Sequence, residues 1–262
     1  MTDTAWPTRT FLGLDIDCID MEHARRLVCK WAGEDHFRFV VTPNVDHAIF
    51  IHDARASGDG DGVAASYASA RLTLCDSRIL ARLARLSGID LPVVPGSDLT
   101  AHLFRGGGIA SGSRVLIVGA DGSQVAALRA MRPDIHISHY MPPMGLRRDA
   151  AAREKVVHAV EEGQADFVLF AVGAPQSELI AARLVERGVA RGVGLCIGAS
   201  IEFITGAKTR APQWVQRISM EWAFRLLSEP RRLWRRYLVE GPRIFALWWR
   251  WHRQRKGNRQ PA

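Results

Sequence analysis

Four short segments of the sequence carry polar or small residues directly after a hydrophobic run: residues 42–44, 75–77, 119–123 and 173–178. Asp76, in the second segment, has a carboxylate that could take a proton from an attacking hydroxyl group. Helices that start just after such segments would offer free N–H groups to a phosphate. Asn, Asp and Ser are also preferred N-cap residues, so each segment taken alone is better explained as a helix cap. Four of them at one edge of a sheet, however, predict a ligand crevice.

The segments lie at the ends of runs that alternate between strand-like and helical patterns. Hydrophobic runs rich in β-branched residues predict strands at residues 36–42, 71–75, 114–119, 135–139, 166–172 and 192–198. Helical patterns begin near residue 44, cover residues 77–86, 150–162 and 175–187, and include one that ends near Pro133. This alternation predicts an α/β fold with a mainly parallel sheet and helices on both faces. Ligands of such sheets bind at the carboxyl ends of the strands, where all four segments would lie.

The chain has 262 residues, and its net charge of +8 is unevenly distributed. Residues 1–206 contain 21 Lys and Arg against 24 Asp and Glu, whereas residues 207–262 contain 14 against 3. We therefore expect an α/β domain over residues 1–206 and a basic, Trp-rich helical appendage over residues 207–262. The hydrophobic content of 47% and the charged content of 24% exclude a disordered chain and a polytopic membrane protein. The four cysteines are far apart, which favours buried thiols over a disulfide framework or a zinc site.

The appendage combines aromatic, aliphatic and basic residues at helical spacing. Trp214, Ile218, Trp222 and Leu226 recur every four residues and predict one amphipathic helix. Breaks follow at residues 229–230 and 241–242, with a further helix after each. Arg-rich faces opposite Trp and Leu are typical of helices that lie in a membrane interface. One alternative is that these four apolar residues, which we call the Trp stripe, pack on the α/β domain. Another is that the arginines bind a phosphorylated ligand. Nucleic-acid binding is a third, and it is disfavoured because no known nucleic-acid module is present.

The order of short motifs along the chain resembles that of a known family. The motifs are T-P-N at residues 42–44, the strand-end Asp76, P-G-S-D-L at 95–99, V-G-A at 118–120, G-A-P-Q-S-E at 173–178, R-A-P-x-W at 210–214 and E-W-x-x-R-L-x-x-E-P-R-R-L-x-R-R at 221–236. Together they resemble the WecG/TagA/CpsF family of bacterial glycosyltransferases, glycosyltransferase family 26, over about residues 10–240. The C-terminal motif is the most specific of them.

The resemblance implies a fold, an activity and a location. Members of the family have a Rossmann-like α/β core and a C-terminal appendage that completes the active site at the membrane. They transfer a sugar from a UDP-sugar donor to a polyprenyl-diphosphate-linked sugar acceptor, with inversion and without a metal or another cofactor. This implies a peripheral protein on the anionic cytoplasmic face of the bacterial inner membrane. Whether the chain forms a homo-oligomer is left open.

The resemblance also implies roles for single residues. Asp76 matches the strand-end aspartate expected to act as general base. Thr42 and Asn44 match the polar pair expected near the sugar or the acceptor. The remaining expected substrate-binding residues are Asp98, Gly119, Ala120, Gln176, Ser177, Glu178, Arg210, Arg225, Arg232 and Arg235. Gly119 and Ala120 belong to the strand–turn–helix that the family places near the nucleotide. Arg225, Arg232 and Arg235 match C-terminal arginines that would bind diphosphate. For Asp98 a helix cap is the favoured alternative.

The chain departs from the family pattern at three places. The family has Lys or Arg, Gln and Glu where this chain has Gln176, Ser177 and Glu178, so the role of the family glutamine passes to Gln176 or is lost. Asp76 is followed by Ser77 and not by Gly, and the interval before it is lengthened by a loop at residues 57–62. These features resemble the xanthan- and acetan-type exopolysaccharide branch, which adds β-1,4-linked glucose. We therefore favour UDP-glucose over UDP-N-acetylmannosamine as the donor.

Other patterns are weaker. Asp15 and Asp17 have the D-x-D form of a metal site but lack companion ligands, and Asp17 and Asp20 are better explained as caps of a helix from Met21. His47 is expected to be structural or solvated. No G-x-G-x-x-G or P-loop is present, which disfavours a nucleotide-sugar epimerase or dehydrogenase. An N-acetylmannosaminyl-type transferase and a non-enzymatic membrane-binding scaffold stay open as alternatives.

Overall fold

A six-stranded sheet, in which every neighbouring pair of strands is parallel, forms the centre of the computed structural model. The structure describes residues 6–209, 211–212, 214–215 and 218–257. In chain order the strands of this sheet are β3 (Arg38–Val41), β4 (Leu72–Thr73), β5 (Arg114–Gly119), β6 (His136–Tyr140), β7 (Phe167–Ala171) and β8 (Val193–Cys196). Their order across the sheet is β4-β3-β8-β7-β5-β6. The predicted α/β class with a mainly parallel sheet is confirmed.

Alternate side chains of the strands build one hydrophobic core on each face of the sheet. Along β5, Val115 and Ile117 belong to one core, and Leu116 and Val118 belong to the other. The helices packed on the first core are α1 (Met21–Ala32), α5 (Gly96–Arg105), α6 (Gly122–Met131) and α9 (Ser200–Ile204). Those packed on the second are α2 (Val45–Ala56), α3 (Val63–Ala68), α4 (Arg78–Leu86), α7 (Ala150–Gly163) and α8 (Gln176–Arg187). The predicted helices on both faces are therefore confirmed.

An antiparallel hairpin that the sequence patterns do not predict precedes the sheet. Its strands are β1 (Thr8–Phe11) and β2 (Leu14–Asp17). Both carboxylate oxygens of Asp17 accept hydrogen bonds, one from the backbone N–H of Thr73 at 2.8 Å and one from the Thr8 hydroxyl at 2.9 Å. Asp20 caps α1 by accepting from the backbone N–H of His23 at 2.8 Å. The prediction that Asp17 also caps α1 is wrong, because the hairpin and β4 engage its side chain.

The C-terminal segment contains several short helices and one longer helix. They are α10 (Glu221–Ser228), α11 (Pro230–Trp234), a π-helical turn (Arg235–Glu240) and α12 (Arg243–Gly257). The breaks predicted at residues 229–230 and 241–242 are confirmed. The prediction of one helix from Trp214 to Leu226 is wrong: Ser219 has a φ of 63°, and α10 begins only at Glu221. The two halves of the Trp stripe therefore lie on different segments.

The last helix packs on the α/β domain beside α2 and the hairpin. Ile244 and Leu247 of α12 are buried, and the ring of Trp251 meets that of Phe11 edge to face, with centroids 5.2 Å apart. Packing on the domain, one of the alternatives considered above, therefore accounts for part of the Trp-rich sequence. Large apolar side chains of the segment that remain exposed include Trp214, Ile218, Leu227, Trp234, Leu238, Val239, Phe245 and Trp249. Among the described residues, no helix is long and apolar enough to cross a membrane.

Candidate active site

Two cavities, of about 390 and 400 Å³, open at the carboxyl ends of the central strands. The first, which we call the appendage cavity, lies between the α/β domain and the C-terminal helices. The domain contributes Pro95 to its wall, and the C-terminal helices contribute Trp222, Tyr237, Leu238 and Phe245. The second, which we call the sheet-end cavity, lies over the ends of β3, β5, β7 and β8. Both volumes are in the range of small-molecule sites.

The sheet-end cavity has mostly polar walls and adjoins the starts of several helices. Its lining includes Thr42, Ala120, Gln124, Ser177 and Glu178. Gln124 lies in the first turn of α6, and Ser177 and Glu178 lie in the first turn of α8. First-turn N–H groups have no partner within their own helix, and the helix dipole makes this end favourable for anions. The cavity is therefore suited to a ligand with phosphate and hydroxyl groups.

Four side chains line both cavities: Asn44, Asp76, Arg225 and Arg236. They mark the junction at which a ligand in one cavity would meet a ligand in the other. Two of them come from the α/β domain, and the two arginines come from the C-terminal helices. The junction thus combines a carboxylate that can accept a proton with two cations that can bind anionic groups.

The backbone of Asp76 is held in place by neighbouring segments. Its N–H donates to the carbonyl of Pro43 at 3.0 Å, which links the ends of β3 and β4. The preceding carbonyl, of Cys75, accepts from the N–H of Val94 at 2.9 Å. The following residue, Ser77, is the N-cap of α4. These contacts fix the position from which the Asp76 side chain reaches the junction.

Asn44 and His47 form a capping box at the start of α2. Asn44 Oδ1 accepts from the N–H of Asp46 at 3.0 Å, and the N–H of Asn44 donates to His47 Nδ1 at 3.2 Å. Burial and, second, the nearby Arg236 guanidinium lower the pKa of His47 to about 3, so the imidazole is neutral at pH 7. His47 has the structural role expected from the sequence and, in addition, lines the sheet-end cavity.

A buried acid lies at the floor of the sheet-end cavity. Glu178 is 2% exposed, and burial raises the pKa of its carboxyl to about 7. The pKa of neighbouring Tyr67 is raised well above its usual value, again by burial first and by Glu178 second. Glu178 Oε2 and the Tyr67 hydroxyl are both buried, and neither has a hydrogen-bond partner in the described part of the chain. Glu178 therefore takes up a proton near neutral pH.

The structure brings together most, but not all, of the residues expected from the sequence. Those that line at least one of the two cavities are Thr42, Asn44, Asp76, Ala120, Ser177, Glu178 and Arg225. Those that line neither cavity are Asp98, Gly119, Gln176, Arg232 and Arg235. Asp98 lies in the first turn of α5, and Gly119 ends β5 directly before Ala120. Arg210 lies outside the described residues.

The C-terminal arginines differ in what they contact. Arg232 pairs with Glu229, and Arg235 pairs with Glu240 at 3.2 Å, so both are engaged within their own segment. The guanidinium of Arg225 lies over the ring of Phe203, 5.0 Å from its centroid, at the mouth of the sheet-end cavity. Arg236 pairs with Asp46 of α2. Arg236 is not among the residues expected from the sequence, because nothing in the Arg235–Arg236 pair distinguishes the arginine that faces the cavities.

The hairpin aspartates have structural partners. Asp15 accepts a hydrogen bond from the Thr10 hydroxyl at 2.6 Å, and Asp17 is engaged by Thr8 and Thr73 as described above. Within the described residues, no group of three or more His, Cys, Asp or Glu side chains is placed to hold a metal ion.

The fold and the cavities define a class of protein. A Rossmann-like parallel sheet with two joined cavities at its carboxyl edge is an architecture that can hold a nucleotide-linked ligand next to a second ligand. The model of the glycosyl transferase WecG/TagA/CpsF family matches residues 9–258, which is nearly the whole chain. The chain belongs to this family and is a glycosyltransferase. The family-level resemblance seen in the sequence motifs is thereby confirmed.

Proposed function

We propose that this glycosyltransferase moves a hexose from a UDP-sugar to a polyprenyl-diphosphate-linked sugar in the assembly of an exopolysaccharide repeat unit. The transfer inverts the anomeric centre and needs no metal; glucose in a β-1,4 linkage is the favoured product. The observation that carries the proposal is the position of Asp76 at the junction of the two cavities. The choice of glucose rests on the three departures from the family pattern described above: residues 176–178, Ser77 after Asp76, and the loop at residues 57–62.

The sheet-end cavity would hold the donor. The first turns of α6 and α8 adjoin it, and the positive end of each helix dipole suits the diphosphate of a nucleotide-sugar. The hydroxyl of Thr42 and the carboxyl of Glu178 line the same space and could bind hydroxyl groups of the ribose or the sugar.

The appendage cavity would hold the lipid-linked acceptor. Leu238 and Phe245 line this cavity and are 56% and 53% exposed, so its wall continues into the exposed apolar surface of the C-terminal helices. A polyprenyl chain could stay in the bilayer while its diphosphate-sugar enters the cavity. The exposed apolar side chains and basic residues of this segment are the composition of an interfacial helix, which supports peripheral binding at the cytoplasmic face of the membrane.

The geometry suits a single displacement. An acceptor hydroxyl in the appendage cavity would attack the anomeric carbon while the bond from that carbon to the UDP oxygen breaks on the opposite side. The Asp76 carboxylate would take the proton of the attacking hydroxyl, for which it must reach the acceptor next to the donor. Arg225, which also lines both cavities, would offset the negative charge that develops on the departing UDP.

The variant Asp76→Asn tests the proposal. Transfer of labelled glucose from UDP-glucose to a synthetic polyprenyl-diphosphate-glucose should fall by about 10²- to 10⁴-fold, because the amide cannot take the proton. UDP affinity and the thermal midpoint should stay near those of the wild type. A panel of UDP-sugars, including UDP-N-acetylmannosamine, identifies the donor in the same assay.

The matched control is Asp90→Asn, the same change at an exposed carboxylate that lines neither cavity. It should transfer sugar at the wild-type rate. Wild-type turnover by Asp76→Asn would remove Asp76 as the base. Absence of transfer by the wild type with every UDP-sugar in the panel would refute the donor class.

A further inference from the structure

Two ion pairs join the C-terminal segment to helix α2. Asp46, in the first turn of the helix, pairs with Arg236 of the π-helical turn. Asp53, two turns further along, binds Arg243 of α12 through both oxygens, at 2.8 and 3.0 Å. The two pairs link the same two parts of the molecule, but they differ in their surroundings.

The Asp53–Arg243 pair is a surface contact. Its side chains are about half exposed and line neither cavity. The Asp46–Arg236 pair is less exposed, at 24% and 36%, and Arg236 lines both cavities. Burial raises the pKa of Asp46, and Arg236 opposes that rise. Taking the Asp46 carboxylate out of water costs desolvation free energy, whereas the exposed Asp53–Arg243 pair has no such cost.

The Arg236 guanidinium has donors beyond those that Asp46 uses. Its Nη2 group pairs with Asp46 Oδ2, and the buried Nε lies on that same edge of the guanidinium, so the Nη1 side is the part that can meet a ligand. A guanidinium carries five N–H groups in a planar fork, so one edge can bind a carboxylate while another binds a phosphate. Asp76 and Arg225 line the same junction.

We propose that Asp46 is a positioning residue that presents Arg236 to a diphosphate group of a substrate at the junction of the two cavities. The inference rests on the proposed function, since it takes the ligand to be a diphosphate ester. Asp46 fixes the side chain of Arg236, and Arg236 makes the contact with the ligand. The Asp53–Arg243 pair docks the segment and takes no part in ligand binding.

The diphosphate could belong to the UDP-sugar or to the lipid-linked acceptor, and two measurements distinguish these sources. Binding of UDP by calorimetry reports on the donor without any turnover. The KM for polyprenyl-diphosphate-glucose reports on the acceptor. If the donor provides the diphosphate, Arg236→Gln weakens UDP binding at least about tenfold; if the acceptor does, UDP binding is unchanged and the acceptor KM rises by a similar factor.

The role of Asp46 is tested by combining variants. Asp46→Asn should weaken the same step as Arg236→Gln, and it should add nothing in a protein that already carries Arg236→Gln. Arg236→Lys should recover only part of the affinity, because an ammonium group has no planar fork for two anions. It also provides a conservative variant if Arg236→Gln fails to fold.

The control variants are Asp53→Asn and Arg243→Gln, which remove the other ion pair of the same helix. They should leave the UDP affinity, the KM for the UDP-sugar and the KM for the acceptor within about twofold of the wild type, even if they change the thermal midpoint. The inference is overturned if Asp46→Asn and Arg236→Gln change ligand affinity and KM no more than these controls, or if the effects of Asp46→Asn persist without Arg236. Because UDP binding is measured without transfer, a wild type that binds UDP but transfers no sugar would refute the proposed function separately.

Discussion

Replacing Glu178 with Gln would measure the energetic cost of the buried acid below the sheet-end cavity. Glu178 lies in the first turn of α8, and burial raises its pKa from the ordinary value of 4.5 to about 7. Its own backbone N–H and the neighbouring Tyr67 hydroxyl oppose this rise. The folded protein therefore holds this proton more tightly than the unfolded chain does.

The sign of the effect on stability follows from that difference. Below pH 4.5 the carboxyl is protonated in both states and burial carries no charge penalty. As the pH rises towards 7, the unfolded chain loses the proton first, so the free energy of unfolding falls. The full loss is about 3 kcal/mol at about 1.4 kcal/mol per pKa unit, and most of it falls between pH 5 and 8. A glutamine has no proton to lose and removes this part of the pH dependence.

Urea unfolding at several pH values between 5 and 8 provides the measurement. The free energy of unfolding of Glu178→Gln, minus that of the wild type, should rise by about 2–3 kcal/mol over this range. Other titrating groups cancel in the difference. The exposed Glu162→Gln variant is the control and should give a flat difference. A flat or falling difference for Glu178→Gln would refute the assignment of a raised pKa to this carboxyl.

Two further predictions concern the cavity wall and the exposed surface. A Cβ added at Gly96 would lie 2.6 Å from Thr42 Oγ1, so Gly96→Ala should displace Thr42, cost about 1–3 kcal/mol of stability and weaken UDP binding. The control is Gly60→Ala, at an exposed position that lines neither cavity and where the added atom meets nothing within 4 Å, and it should do neither. Similar effects of the two alanines in urea unfolding and UDP titration would contradict this. Trp249 is 54% exposed and lines neither cavity, so Trp249→Ser should weaken binding to anionic phospholipid vesicles about tenfold and leave UDP affinity unchanged. Unchanged sedimentation with vesicles would show that this side chain does not enter the membrane.

The central sheet was predictable because its strands are short, hydrophobic and separated by clear helices. The observed strand bounds lie within two residues of the predicted ones. Once the sheet is parallel, the ends of all its strands meet at one edge, which is why Thr42, Asn44 and Asp76 come together as expected. The strand order is not encoded in any local pattern, and it decides that β3, and not β5, is the neighbour of β4.

The C-terminal arginines show where sequence reasoning fails. Spacing along a regular α-helix does not reveal that residues 235–240 form a π-helical turn, in which the hydrogen bonds reach one residue further. Arg235 and Arg236 begin that turn, in which Arg235 pairs with Glu240 of the same turn while Arg236 faces Asp46 of α2. The left-handed turn at Ser219 has the same kind of effect on the Trp stripe, because a non-glycine residue with positive φ leaves no mark in a hydrophobic pattern.

The edge-to-face contact between Phe11 and Trp251 joins the first strand to the last helix, across 240 positions of the chain. On the same helix, the Trp248 indole N–H donates to the hydroxyl of Ser87 at 2.9 Å. Contacts that close such long loops form late in folding, because the entropy of closure is lost before the contacts stabilise the chain. The same cost applies to the pairing of β3 with β8, where Arg38 meets Val193, so the sheet and the C-terminal helices both depend on contacts between distant parts of the chain. The appendage cavity is complete only when the last helix, which contributes Ile244 and Phe245 to its wall, has docked.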